Sequence, residues 1–263
     1  MFKDILRSYK EGEFGEEEAG EKILKLFYEG KGEFLLDLER EKRIGFPEII
    51  FGEGKTPEQL LNIAEKVLEK GEKIFISNVD CEKENALRGA FSRFEIEKAG
   101  RLVVIKKGRH TYEPSGTVGI ITAGTSDIPY AEECVLILEE FGAKVTKSYD
   151  SGVSGVHRPF LSLKRMKGAE LLIVFAGMEG VLPTLVASLT DLLIIAVPTS
   201  IGYGFGGGGE GALTTMLQTC APGILVVNIG NTIGAAAGAI RILRAIERGR
   251  FGGNRKSKGS YKG

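Results

Sequence analysis

The sequence predicts a three-layer α/β domain built on a parallel sheet, preceded by a smaller α+β domain. Apolar runs recur at TVGIITA (117–123), AKVTKSYD (143–150), ELLIVFA (170–176), DLLIIAV (191–197) and ILVVNI (224–229). Most are continuous in Val, Ile and Leu rather than alternating, the pattern of strands covered on both faces. Helical segments of about ten to fifteen residues separate them, so the connections are right-handed crossovers and the strands are parallel. The stretch KGRHTYEPSG (107–116) is polar, holds Pro and Gly, and has no period. It reads as a linker that sets residues 1–107 apart.

Before the linker the pattern is mixed. Residues 1 to 30 read as two short helices, the second with Ala19, Ile23, Leu26 and Phe27 at helical spacing. Leu35, Leu36 and Leu38, and then Ile49, Ile50 and Phe51, look like strand cores bounded by Gly and Pro. Thr56-Pro57-Glu58 is a helix start, a capping hydroxyl followed by proline where no backbone donor is needed, and that helix should reach Lys70. KIFIS is a strand, Cys81 to Phe91 a helix, and FEIEKA and RLVVIKK two more strands. The end, RGRFGGNRKSKGSYKG (248–263), reads as a basic flexible tail, so the larger domain spans 117–247.

The bulk composition narrows the function. Of 263 residues 43% are hydrophobic and 27% charged, with zero formal net charge, which gives no electrostatic reason to expect nucleic acid or an anionic membrane as partner. No apolar run is long enough for a membrane span, and the N-terminus lacks the apolar centre of a secretion signal. Three scattered cysteines, Cys81, Cys134 and Cys220, cannot all pair within a chain and match no zinc spacing; a reducing cytoplasm is the expected setting. Cys81 and Cys134 fall within amphipathic helical patterns and read as buried, inert thiols.

In a parallel sheet ligands bind beyond the carboxyl ends of the strands. After the first run comes Gly124-Thr125-Ser126-Asp127 and a helix: small residues with backbone donors suit an anion, while a tight turn with Asp127 as helix cap is the plainer reading. After the second come His157 and Arg158, one of two histidines beside a side chain that grips phosphate or carboxylate in a fork. After the third, Gly177, Met178 and Glu179 lie where backbone can approach a ligand, and Glu179 is either a base, a ligand to a hydroxyl or metal, or a helix cap. After the fourth, PTSIGYGFGGGGEGA (198–212) contains Gly202, Gly204 and Gly207 at dinucleotide-fingerprint spacing, but too far behind its strand for that role; it reads as a lid or a phosphate-contacting loop. The helix GALTTMLQTC ends at Cys220, where the helix dipole gives a thiolate no help.

Taken in order, these strand ends resemble the aminoimidazole ribonucleotide carboxylases and mutases of purine synthesis. AGTSD is similar to their Gly-Ser-x-Ser-Asp loop, SGVSGVHRP to their Ser-Ala-His-Arg-Thr-Pro segment, and QTCAPGILVVNIGNTIGAAAGAIRIL to their last strand and helix, except that Cys220 stands where they carry no thiol. A closer resemblance, over nearly the whole chain, is to the LarB family, the pyridinium-3,5-biscarboxylic acid mononucleotide synthases of nickel-pincer nucleotide biosynthesis that serve lactate racemase maturation. It rests on REKRIGFPEIIFGEGKT (40–56), TAGTSDIPYAEE (122–133), GVSGVHR, AGMEGVLP, PTSIGYG and CAPG. Where that family would read Ile-Asp-Asn-Gly after the last strand, this chain reads Ile229-Gly230-Asn231-Thr232, nearer the purine enzymes.

The resemblance implies a flavodoxin-like catalytic domain, a smaller substrate-binding α+β domain at 1–107, and a homo-oligomer, an octamer as in the related carboxylases. The Ala/Gly-rich IGAAAGAI (233–240) is the local hint of close helix packing. The implied reaction is carboxylation of nicotinic acid adenine dinucleotide at pyridine C5, with hydrolysis of its phosphoanhydride to release AMP; CO2 or bicarbonate is the co-substrate and Mg2+ the expected metal. Cys220 is the nucleophile by match. Asp127, Glu179 and His157 are candidates for proton transfer, Mg2+ or substrate contacts. Gly124, Thr125, Ser126, Gly177, Met178 and Arg158 line the strand ends, and Arg40, Arg43 and Lys55 of the first domain are candidates to neutralise substrate phosphates. The alternatives are an aminoimidazole ribonucleotide carboxylase or mutase with an added N-terminal domain, and a non-catalytic dinucleotide sensor that would tolerate loss of Cys220.

Overall fold

The structure, a computed structural model, describes residues 2–27, 37, 40–108 and 116–252. The chain divides into two units, Met1–Arg109 and His110–Gly263. Leu35, Leu36 and Leu38, the side chains of Leu26 and Phe27, and most of the linker fall outside the described residues.

The first unit holds α1 (Phe2–Lys10), α2 (Glu16–Phe27), α3 (Arg40–Ile44), β1 (Ile49–Phe51), α4 (Pro57–Lys70), β2 (Lys73–Ser77), α5 (Cys81–Ala90), β3 (Glu95–Ala99) and β4 (Leu102–Lys106). Its sheet runs β1-β2-β4-β3, with β1 parallel to β2 and the other pairs antiparallel. The start of α4 is a reciprocal cap: the Gln59 N–H donates to Thr56 Oγ1 at 3.2 Å, and the Thr56 N–H to Gln59 Oε1 at 3.0 Å. Leu60, Ile63, Ala64 and Leu68 of α4 pack with Leu87 of α5 against Ile74, Ile76, Val103 and Ile105. Arg40 to Ile44, for which the sequence suggests no element, forms a short helix. One expectation fails here: Cys81 is exposed. Cys81 is the first residue of α5, directly after the capping carboxylate of Asp80, where the helix has not yet turned a face inward.

The second unit alternates strictly: β5 (Thr117–Thr122), α6 (Ile128–Glu140), β6 (Lys144–Ser148), α7 (His157–Arg165), β7 (Leu171–Ala176), α8 (Leu182–Ala187), β8 (Leu193–Pro198), α9 (Glu210–Leu217), β9 (Ile224–Val226) and α10 (Thr232–Gly252). All pairs are parallel, in the order β6-β5-β7-β8-β9, which is the flavodoxin-like arrangement with its switch point beside the first strand. One register row, Ile121, Val174 and Ala196, packs under Leu182 and Val186 of α8 and Ala212 and Met216 of α9. The other face is covered by α6 and α10, which pack on each other. Each fully buried Val, Leu, Ile or Phe contributes about 1.5–3 kcal/mol of transfer free energy, so the frame that carries the strand-end loops is well anchored.

Only α6 and α10 reach the expected helix length; α7 has 9 residues, α8 6 and α9 8. α9 stops at Leu217 instead of running to Cys220. Thr219 explains the stop: its hydroxyl accepts from the Thr184 hydroxyl at 2.9 Å and from the Ala221 N–H at 3.2 Å, drawing the chain out of the helix. At the other end α10 continues through Gly252, into the segment expected to be tail; 253–263 lie outside the described residues. Cys134 is buried, as expected, and burial pushes its thiol well above the usual range. Among the described residues no helix is long and apolar enough to cross a membrane.

Candidate active site

Asp127 ties three strand-end loops together. It follows β5, is 3% exposed, and accepts three hydrogen bonds: from the Gly124 N–H at 2.8 Å, from the Thr199 hydroxyl at 2.6 Å and from the Gly177 N–H. Gly177 follows β7 and Thr199 follows β8, so one carboxylate fixes the ends of three neighbouring strands. Its side chain reaches back to the turn rather than capping α6. Burial pushes its pKa upward, opposed by the Thr199 hydroxyl and the two N–H groups.

The loops fit together backbone to backbone, which is why glycine stands at two positions. A Cβ at Gly177 would lie 2.2 Å from the Ile201 carbonyl oxygen and 2.8 Å from Thr199 Oγ1. Gly209, at φ +92°, lies against the Thr199 carbonyl, where a Cβ would be 2.8 Å from that oxygen and 2.7 Å from Ile229 Cγ2. Next to Gly177, the Met178 N–H donates to the Ile201 carbonyl at 2.6 Å, which holds Met178 at φ +51° with its side chain exposed. Asp150, after β6, is also left-handed at φ +53°. Non-glycine residues in this region are strained by about 1–3 kcal/mol and concentrate at functional loops.

Around this frame the mouth is polar and open. Thr125, Ser126, His157 and Glu179 are exposed. Glu179 does not cap α8, whose first turn has no side-chain cap, and its carboxylate has no partner among the described residues. Arg158 is half-exposed and held by Asp150 at 3.3 Å, a contact an incoming anion can replace. Beneath it, Ser162 receives Ser148 at 2.9 Å, meets Ser151 at 2.6 Å and donates to the Arg158 carbonyl at 3.1 Å, a buried hydroxyl chain that fixes the start of α7.

The strand ends therefore bring together Gly124, Thr125, Ser126, Asp127, Gly177, Met178 and Glu179, with His157 and Arg158 on the neighbouring loop after β6. The exposed Cys220 thiol lies beyond α9, one residue after Thr219, whose hydroxyl meets that of Thr184 in the first turn of α8. Arg40, Arg43 and Lys55 belong to the first unit. Arg43 is engaged by both carboxylate oxygens of Asp37, at 3.1 and 2.5 Å; Arg40 Nε is buried with no acceptor among the described residues. The Lys55 ammonium has no carboxylate partner among the described residues. For the expected Mg2+ there is no cage: among the described residues no three of His, Cys, Asp and Glu converge. Mg2+ bound through one or two carboxylates and substrate phosphates needs no such cage.

The sequence did not single out Thr199, the partner of Asp127. The signal for it was available, since it is the first residue beyond β8. Nor did it single out Asp150, or the Tyr130–Ser200 hydroxyl pair at 2.6 Å beside the same strand ends.

Comparison with known proteins agrees with this architecture. Residues 28–107 match the family described as LarB/PurE-like N-terminal domain, and residues 117–250 match AIR carboxylase. An uncharacterized protein of Methanocaldococcus jannaschii is 39% identical over 241 residues, covering 89% of this chain and 93% of its own length. The N5-carboxyaminoimidazole ribonucleotide mutases of Pyrococcus horikoshii and Aquifex aeolicus are 33% and 34% identical, each over 48% of this chain and 71% and 75% of their own lengths. With the sheet order, the strand-end site and both matches in agreement, the chain belongs to the AIR carboxylase family and carries a LarB/PurE-like N-terminal domain ahead of the catalytic fold.

Proposed function

We propose that, within this carboxylase and mutase family, the chain carboxylates nicotinic acid adenine dinucleotide at pyridine C5 and hydrolyses its phosphoanhydride, giving pyridinium-3,5-biscarboxylic acid mononucleotide and AMP. The observation that carries the reading is the exposed Cys220 thiol on an AIR carboxylase domain. A pyridinium ring is electron-poor and CO2 is itself an electrophile, so the two do not combine unaided. Addition of the Cys220 thiolate at C4 forms a C–S bond and sends the ring's electron pair to nitrogen, giving a dihydropyridine with a nucleophilic C5. C5 attacks CO2, the C5 proton leaves to a base, and the nitrogen lone pair expels the thiolate, restoring the pyridinium. The net change is C5–H plus CO2 to C5–carboxylate plus a proton, with no redox partner. Water then attacks phosphorus and AMP departs.

Glu179, exposed and unpaired among the described residues, is our choice for the base that takes the C5 proton. Asp127 acts as a positioning residue, Arg158 receives an anionic group of the substrate, and the N–H groups and hydroxyls of Thr125 and Ser126 take phosphate or ribose oxygens. The LarB/PurE-like N-terminal domain supports the same assignment. A second reading, carboxylation or mutase chemistry on aminoimidazole ribonucleotide, is favoured by Gly230, which stands where the nickel-pincer family would carry Asp and is nearer the purine enzymes. Mass spectrometry of products from dinucleotide, bicarbonate and Mg2+ tests the proposal. Release of AMP with a product one carboxyl group heavier than nicotinic acid mononucleotide supports it; unchanged dinucleotide refutes it.

A further inference from the structure

Arg158 and Asp150 are set in place by the fold rather than meeting on a loose surface. The stem of Arg158 lies flat on Gly155, where an added Cβ would be 2.7 Å from Nε and 3.0 Å from Cδ. The Arg158 N–H donates to the Gly155 carbonyl at 2.8 Å, and the Arg158 carbonyl accepts from the buried Ser162 hydroxyl at 3.1 Å. Asp150 is tied from the other side to the end of β5. Its N–H donates to Thr122 Oγ1 at 3.2 Å, and the Ser151 N–H donates to the Thr122 carbonyl at 2.8 Å. Ser162 joins the two halves, because its hydroxyl also meets the buried Ser151 hydroxyl at 2.6 Å. The Asp150 carboxylate then touches one guanidinium nitrogen, Nη1, at 3.3 Å, and Nη2 and Nε have no acceptor among the described residues. A guanidinium alone binds an anion more tightly the more charge the anion carries. With a carboxylate fixed beside it, each added charge gains from one group and loses to the other.

We infer that Asp150 is a specificity-determining residue of the Arg158 subsite, which accepts the singly charged bridging phosphate of a dinucleotide and disfavours the terminal phosphate of a mononucleotide. The inference rests on the reading of Arg158 as receiver of a substrate anion, and adds which anion. A terminal phosphate carries about −1.5 to −2 at neutral pH, against one charge on each bridging phosphate. Hydrolysis adds to the contrast: water's oxygen joins phosphorus, the anhydride P–O bond breaks, and the phosphate left on the mononucleotide gains an ionisable oxygen. The carboxylate that tolerates the substrate therefore helps to expel the product. An anion on the free edge of the guanidinium stands roughly 6–8 Å from the carboxylate, one hydrogen bond on each side of a flat group. At that distance in a water-like dielectric, each unit of ligand charge changes binding about threefold.

Calorimetric titration of wild type and Asp150→Asn at about pH 8 and low ionic strength, without bicarbonate, tests this with three ligands. Asparagine keeps the shape and tolerates the left-handed backbone at φ +53°. Nicotinic acid riboside, nicotinic acid adenine dinucleotide and nicotinic acid mononucleotide present no phosphate, a bridging phosphate and a terminal phosphate. Asp150→Asn should leave the first unchanged, tighten the second about threefold and tighten the third about tenfold. Equal changes for dinucleotide and mononucleotide, or weaker binding of either, overturn the inference. A wild type that binds none of the three overturns the functional reading instead. A second probe needs no pyridine: protection of Arg158 from phenylglyoxal by inorganic phosphate, read by peptide mass spectrometry. Asp150→Asn should be protected at about tenfold lower phosphate than wild type; protection at the same concentration overturns the inference.

Discussion

Asp127→Ala deletes the acceptor of three hydrogen bonds at once. The Thr199 hydroxyl can rotate toward another acceptor, but the Gly124 and Gly177 N–H groups are fixed by the loops. A buried donor left unsatisfied costs about 1–3 kcal/mol, so two of them cost roughly 2–4 kcal/mol once the loops relax in part. For a domain of this size that is a fall of roughly 5–15 °C in Tm. The loss also has a pH signature. Burial raises the carboxyl's folded pKa above its unfolded value, so the wild-type fold favours the protonated acid. Its contribution is fully present below the ordinary carboxylate pKa and is lost as pH climbs through the raised folded value. The gap between wild type and Asp127→Ala is therefore widest in acid and narrows toward neutral pH. Thermal melts of both proteins at about pH 5 and about pH 8 measure it. Equal melting temperatures at both values, or a gap that widens with pH, would refute the assignment of Asp127 as a buried tie.

Two further outcomes follow from packing. Iodoacetamide on the native protein should alkylate Cys81 and Cys220 and spare the buried Cys134, read by peptide mass spectrometry; labelling of Cys134 before unfolding would contradict the burial. Gly209→Ala should cost about 1–2 kcal/mol for the left-handed backbone alone, more as its methyl displaces Thr199, and should lower activity at least about tenfold; a variant with wild-type melting temperature and rate would show that the loop tolerates displacement.

Much of this architecture was legible in the chain because it depends on local pattern. β5, β7 and β8 are buried on both faces, so their runs of Val, Ile and Leu announced a parallel sheet, and Thr56-Pro57 announced the start of α4. The short α3 was not legible, since its five residues, REKRI, are too few and too charged to show a helical period. Cys81 was misplaced because amphipathic spacing says nothing about the first turn of a helix. The end of α9 depended on Thr219 bonding to Thr184, a contact 35 residues away. The strand-end rule found Asp127, but its partner Thr199 lies 72 residues on, and only the folded sheet brings the two together. The sequence placed Cys220 at the end of a helix, whereas the helix stops at Leu217 and the exposed thiol sits in the turn before the last strand.

Bicarbonate carrying a carbon label, offered with nicotinic acid adenine dinucleotide, NAD and aminoimidazole ribonucleotide in parallel reactions, tests the central claim most directly. The pyridinium charge makes thiolate addition feasible, whereas the amino group of the aminoimidazole already enriches its attacking carbon and needs no thiol. The expected result is acid-stable label in the product of nicotinic acid adenine dinucleotide, little or none from the other two, and none from any of them with Cys220→Ala. Label incorporated only into aminoimidazole ribonucleotide, and undiminished by Cys220→Ala, would contradict the account and assign the chain the chemistry of its purine-synthesis relatives.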